Sequence, residues 1–117
     1  MSKDTIEKRL AELMDIVPEC EGVIAANMDD GSVIVGQTIT EMDHKKIAKA
    51  CTSIIKDSNN LGNDIGKGSL KNTTIELDKG FAVLVGSKKL VLIALTGLDG
   101  GASLGLLKRN LIAISNL

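Results

Sequence analysis

The chain has 117 residues, 44% of them hydrophobic and 25% charged, and its 14 basic and 15 acidic side chains leave a net charge of −1. That length suits a single core, and residues 1–117 read as one domain. The balanced charge gives no counterion-release drive toward nucleic acid and no pull toward anionic membranes, and a lone aromatic, Phe81, leaves no platform for stacking bases.

No apolar run approaches the ~20 residues that span a bilayer, so membrane insertion is not expected. The opening "MSKDTIEKRL" lacks the apolar region of a signal peptide. Ser2 stands where myristoylation needs glycine, and "AISNL" is not a prenylation box. Cys20 and Cys51 make no C-x-x-C pair, and so few cysteines point to a reducing compartment, with the cytoplasm as the expected location. Their positions leave a bridge between them open.

In chain order, Ile6, Leu10, Leu13, Met14 and Val17 recur at helical spacing and predict a helix over residues 4–17. Asp4 with Glu7 resembles a capping box, and Pro18 ends the element. Two apolar runs, Gly22–Asn27 and Ser32–Gly36, flank Asp30-Gly31, a pair that tolerates positive φ and predicts a hairpin. The longest helix is predicted from Thr40, as its cap, to Asp64. Ile47, Cys51, Ile54, Ile55, Ser58, Leu61, Gly62 and Ile65 share one side of it, and Ala48 and Ala50 widen the arc to roughly 160°, beyond the ~100° of a single core-facing stripe. Such a helix contacts two neighbours.

Three strands follow. "LKNTTIEL" alternates, with Ile75 and Leu77 apolar; "FAVLVG" comes after the turn Asp78-Lys79-Gly80; "LVLIALTG" is continuously apolar, as a central strand buried on both faces would be. A glycine-rich loop, Gly97 to Gly101, leads into a helix striped by Leu104, Leu107, Leu111 and Ile114. The order is helix, two strands, helix, three strands, helix. Its short connections predict an α+β fold with an antiparallel sheet.

Two stretches imitate phosphate loops. In "LGNDIGKGSL" the Gly66-Lys67 pair arrives one residue early counting from Gly62, and Gly68 occupies the hydroxyl position. The stretch also leaves a helix and enters a strand, so it offers an anion the wrong end of the dipole. A C-capping turn is the expected reading. "TGLDGGASLG" runs from strand to helix but lacks the dinucleotide spacing, and an ordinary turn is expected there too. His44 is the sole histidine; it shares a helix face with Cys51, but their separation of about 10 Å excludes a common metal ion. Arg9 and Arg109, the only arginines, fall on polar helix faces. Acid, base and nucleophile never converge, so no catalytic residue, cofactor or metal is assigned.

Taken together, "GVIAANMDDGSVI", the long helix ending in "LGNDIGKGSL", "TTIELDKGFAVLVGSKKLVLIAL" and "ASLGLLKRNL" resemble the roadblock family, which spans dynein light chain roadblock and its prokaryotic and endomembrane relatives. Asn27 and Met28 depart from the Ser or Asp frequent before the hairpin turn. The resemblance implies an α-β-β-α-β-β-β-α sandwich, profilin-like, with five antiparallel strands, the long helix on one face and the terminal helices on the other. It also implies a dimer, of this chain with itself or with a paralogous roadblock chain, that pairs the long helices and the third strands. Ile47, Cys51, Ile54, Ile55, Ser58, Leu70, Asn72 and Thr74 are then the interface residues.

Three functions compete. The leading one is a non-catalytic dimeric regulator or scaffold that binds a small Ras-like GTPase, as roadblock relatives do, through His44, Lys45, Ala48, Lys49, Thr52 and Lys56 on the helix flank away from the sheet. The second is a structural adaptor of the dynein light-chain kind that clamps a partner peptide. The third, a nucleotide enzyme built on the glycine loops, predicts that ATP or GTP raises the melting temperature; no rise is expected.

Overall fold

A computed structural model of the chain describes residues 2–117. The elements are α1 (Lys3–Ile16), β1 (Cys20–Asn27), β2 (Val33–Thr38), α2 (His44–Asp64), β3 (Asn72–Leu77), β4 (Gly80–Gly86), β5 (Leu90–Gly97), a 3-10 turn (Leu98–Ser103) and α3 (Leu104–Ser115). The five strands form one antiparallel sheet in the order β2-β1-β5-β4-β3. This is the α+β order the sequence predicts. β5, the continuously apolar run, lies at the centre.

Three local details differ from the sequence reading. The side chain of Ser2, two residues ahead of Asp4, caps α1 by accepting from the Thr5 N–H at 3.2 Å. At α2 the cap is Asp43, which accepts from the Lys46 N–H at 3.1 Å, and Thr40 lies outside the helix. Both caps put a side-chain oxygen on an N–H of the first turn, as the expected ones would have done. In the first hairpin, residues 28–32 join the strands and only Gly31 takes positive φ (73°). Asp30 instead turns the chain by accepting from the Ser32 N–H at 2.9 Å, and hydrogen bonding from the Ser32 hydroxyl, together with that N–H, lowers its carboxyl pKa.

Strand alternation sends side chains to two faces. On one face, α1 and α3 close a core of Ile6, Leu10, Leu13, Val23, Val83, Val85, Leu92, Leu107, Leu111 and Ile114. Burying each of these side chains contributes roughly 1.5–3 kcal/mol, and the helices dock because their stripes recur every three to four residues. On the other face α2 packs on Ile24, Ala26, Leu84, Val91 and Ile93. One helix covers that side where two cover the opposite one. Its cover stops short of β3, where Ile75 is half-buried and Leu77 is 57% exposed.

Candidate interaction surface

The site is built around α2. Ala48, Cys51, Thr52 and Ile55 form its buried face. Thr52 satisfies its hydroxyl within the helix by donating to the Ala48 carbonyl at 2.7 Å, so it packs without an orphaned polar group. Burial pushes the Cys51 thiol up to about 11. These positions correct the sequence reading in two respects. Ala48 (0% exposed) and Thr52 (4%) face the sheet and leave no surface for a partner. Cys51 and Ile55, assigned to the dimer interface, are used up by this chain's own core.

The remaining apolar arc of α2 stays uncovered. Ile47 is half-buried; Ile54, Leu61 and Ile65 are 37%, 60% and 58% exposed. Ser58 donates to the Ile54 carbonyl at 2.7 Å, so the gap between these side chains carries no free hydroxyl proton. Leu61 and Ile65 extend the flank beyond the residues expected for an interface. Their helical spacing from Ile54 and Ser58 already placed them on that side, and only their burial state singles them out.

β3 borders the same side. The N–H of Leu70 donates to Asn59 Oδ1 of α2 at 2.7 Å, which fixes where the strand begins. The Lys71 carbonyl accepts from the Gly86 N–H at 3.3 Å, so by alternation the backbone groups of Thr73, Ile75 and Leu77 face β4. Those of Asn72, Thr74 and Glu76 face outward from the sheet's edge. Any part Asn72 and Thr74 play in joining a second sheet is therefore a main-chain one. The Asn72 side chain turns to the α3 face, beside Val85 and Ile112.

The opposite flank of α2 is polar. The His44 ring lies over β2, its Nε2 3.1 Å from Thr38 Oγ1. Gly36 makes room for it, since a Cβ there would sit 2.6 Å from the ring nitrogen. Lys45 and Lys49 are exposed, and Lys56 donates to the Asp29 carbonyl at 2.7 Å. His44, Lys49 and Lys56 thus each meet the first hairpin, with the exposed Lys45 beside His44 in the first turn of the helix.

With this geometry in place, the Roadblock/LC7 domain matches residues 6–96. The chain belongs to that family. No curated protein sequence matches it. Among solved structures, Myxococcus xanthus MglB is similar at a TM-score of 0.82 and 18% identity, over 96% of this chain and 89% of that one. A Roadblock/LC7 domain from Streptomyces avermitilis follows at 0.80 and 16%, over 93% and 90%. MglB in a tetrameric arrangement gives 0.84 and 11%, over 97% and 88%. At such identities the likeness shows the fold alone.

The glycine stretches of this roadblock chain resolve as turns. After α2 the Lys67 N–H reaches the Gly62 carbonyl (2.7 Å) and the Gly66 N–H the Asn63 carbonyl (3.1 Å), with Gly66 at φ 70°. This paired pattern is a Schellman cap, and it consumes the N–H groups a phosphate would need. The second stretch winds into the 3-10 turn, with Gly100 buried against Thr96. Cys20 and Cys51 are free and belong to cores on opposite sides of the sheet. Among the described residues, no His, Cys, Asp and Glu side chains gather in a metal-binding group, and no helix is long and apolar enough to cross a membrane.

Proposed function

We propose that this chain, as one roadblock domain over residues 1–117, is a dimeric, non-catalytic regulator or scaffold that binds a small Ras-like GTPase in the cytoplasm. The observation that carries the reading is the uncovered flank of Ile47, Ile54, Leu61 and Ile65 beside an open strand edge. A second copy laid along α2 buries that flank, and β3 meeting β3 satisfies the outward main-chain groups of Asn72, Thr74 and Glu76. Both liabilities of the lone chain are removed by one two-fold contact. A paralogous roadblock chain with the same two features serves equally. The solved MglB tetramer is an example of roadblock chains assembling, in that protein.

Pairing α2 with its copy leaves the His44, Lys45, Lys49 and Lys56 edge exposed on each protomer. Doubled by symmetry, this basic rim is a platform for the switch regions of a GTPase, and it acts by favouring one of their conformations. No arginine lies on this edge, so an inserted arginine finger has no part in it. Light scattering after size exclusion, followed by calorimetric titration with Ras-like GTPases of the same genome, tests the reading. A dimer that binds one nucleotide state in preference to the other is expected. A dimer that takes an extended peptide but no GTPase would establish the adaptor reading instead.

A further inference from the structure

On the sheet face opposite α2, a hollow of about 570 Å³ opens between the start of α1, the adjoining ends of β1 and β2, the β4–β5 turn, and Ser115 and Leu117 at the end of α3. That size lies within the roughly 300–1,000 Å³ of small-molecule pockets. Its floor is apolar: Ile6 is buried, and Ile34 and Leu90 are half-buried against the α1/α3 core. Its rim carries Lys3, Lys88 and Lys89, all exposed. No Asp or Glu stands among the described lining residues. The one ion pair among the described residues, Arg9 with Glu12, lies elsewhere, so no Asp or Glu side chain pairs with these three ammonium groups.

The basic rim is anchored. Ser87 donates its N–H to the Leu90 carbonyl at 2.9 Å, and the Lys89 carbonyl accepts from the Met28 N–H at 2.9 Å. The turn is thus tied both to itself and to the end of β1, and Lys88 and Lys89 project from a fixed base. An inorganic anion meets only screened, exposed lysines here and gains little. An uncharged tail gains only the floor. A molecule with both parts uses both.

We propose that this hollow binds a small amphipathic anion, a carboxylate on a medium-length apolar tail. The tail lies on Ile6, Ile34 and Leu90, and the head sits among Lys3, Lys88 and Lys89. The site shares no residue with the α2 flank, so it stands or falls independently of the dimer reading.

Decanoate is the probe, titrated into the full chain by calorimetry and by amide NMR, with decanol, decyltrimethylammonium and sodium acetate as comparisons. Saturable decanoate binding is expected, with shifts at Ile6, Ile34 and Leu90. Decanol should bind roughly tenfold or more weakly, having lost the charge-assisted contacts. Each methylene removed from the tail should weaken binding about fourfold. Lys88→Ala with Lys89→Ala should lower decanoate affinity roughly tenfold at an unchanged melting temperature. The proposal is overturned by the absence of saturable binding at about 1 mM, by equal affinity for decanol, by an unaffected double variant, or by shifts centred on Ile54 and Leu61.

Discussion

Replacing Leu61 by Asp tests the dimer most directly. Leu61 is 60% exposed in the single chain, so the substitution removes little from the chain's own core. A fully buried leucine contributes roughly 1.5–3 kcal/mol, so covering the exposed part of this one contributes about 0.9–1.8 kcal/mol in each protomer. Two-fold symmetry counts the residue twice, and L61D therefore weakens the dimer by about 1.8–3.6 kcal/mol. That raises the dimer dissociation constant by roughly 20- to 400-fold, before repulsion between two facing carboxylates is added. Sedimentation velocity across a dilution series reads the constant, and thermal unfolding monitored by circular dichroism reads the fold of the monomer. Monomeric L61D with a native-like spectrum is the expected result. A wild-type chain that stays monomeric at high micromolar concentration refutes the reasoning, as does an L61D dimer no weaker than wild type.

The Schellman cap makes a prediction whose sign opposes helix propensity. Gly62→Ala should favour the helix by about 1 kcal/mol, but its Cβ would overlap the Gly68 carbonyl oxygen and displace the turn that bonds Gly62. Losing those bonds and the packing should leave G62A destabilised by about 1–2 kcal/mol, a drop of roughly 4–8 °C in differential scanning calorimetry; a rise would show that the turn yields freely. Cys51 contributes stability that is fully present below pH 9.0, its unshifted value, and lost as pH rises toward about 11, because the unfolded thiol ionises first. Urea denaturation between those values should show the wild type losing stability more steeply than Cys51→Ala, by on the order of 2 kcal/mol across the window. In the same native chain a thiol reagent should label Cys51 slowly at pH 8 and rapidly in urea, and fast native labelling would mean that the α2 face opens. Lys45→Glu with Lys49→Glu should leave the dimer constant unchanged while weakening GTPase binding about tenfold, with a flatter salt dependence on a calorimetric titration; equal binding would move the platform elsewhere.

Much of the fold is legible in the amino-acid order because local physics settles it. The stripes of the terminal helices, the unbroken apolar run of β5 and the sharp turn at Asp78-Lys79 each depend on neighbours within a few residues. So does the assignment of "LGNDIGKGSL" to a turn, because a helix that ends there points its carbonyls, not its N–H groups, at the loop. The caps fall a few residues from where the sequence places them because Ser2 and Asp43 are chosen among several competent side chains by where the helix docks.

Periodicity fixes the angular spread of side chains on a helix, so the order of residues is enough to establish that α2 carries more apolar surface than one sheet contact needs. It does not apportion that surface. Ala48, Cys51 and Ile55 lie on the same broad arc as Ile54 and Leu61, and spacing alone does not say which of them the sheet takes. Only the roll of α2 about its own axis, set by the first hairpin under Lys49 and the ring of His44 over Gly36, decides which residues are spent inside. The apolar hollow beneath Lys88 and Lys89 is equally invisible in the sequence, because Ile6, Ile34 and Leu90 come from three distant segments that meet only when the sheet closes.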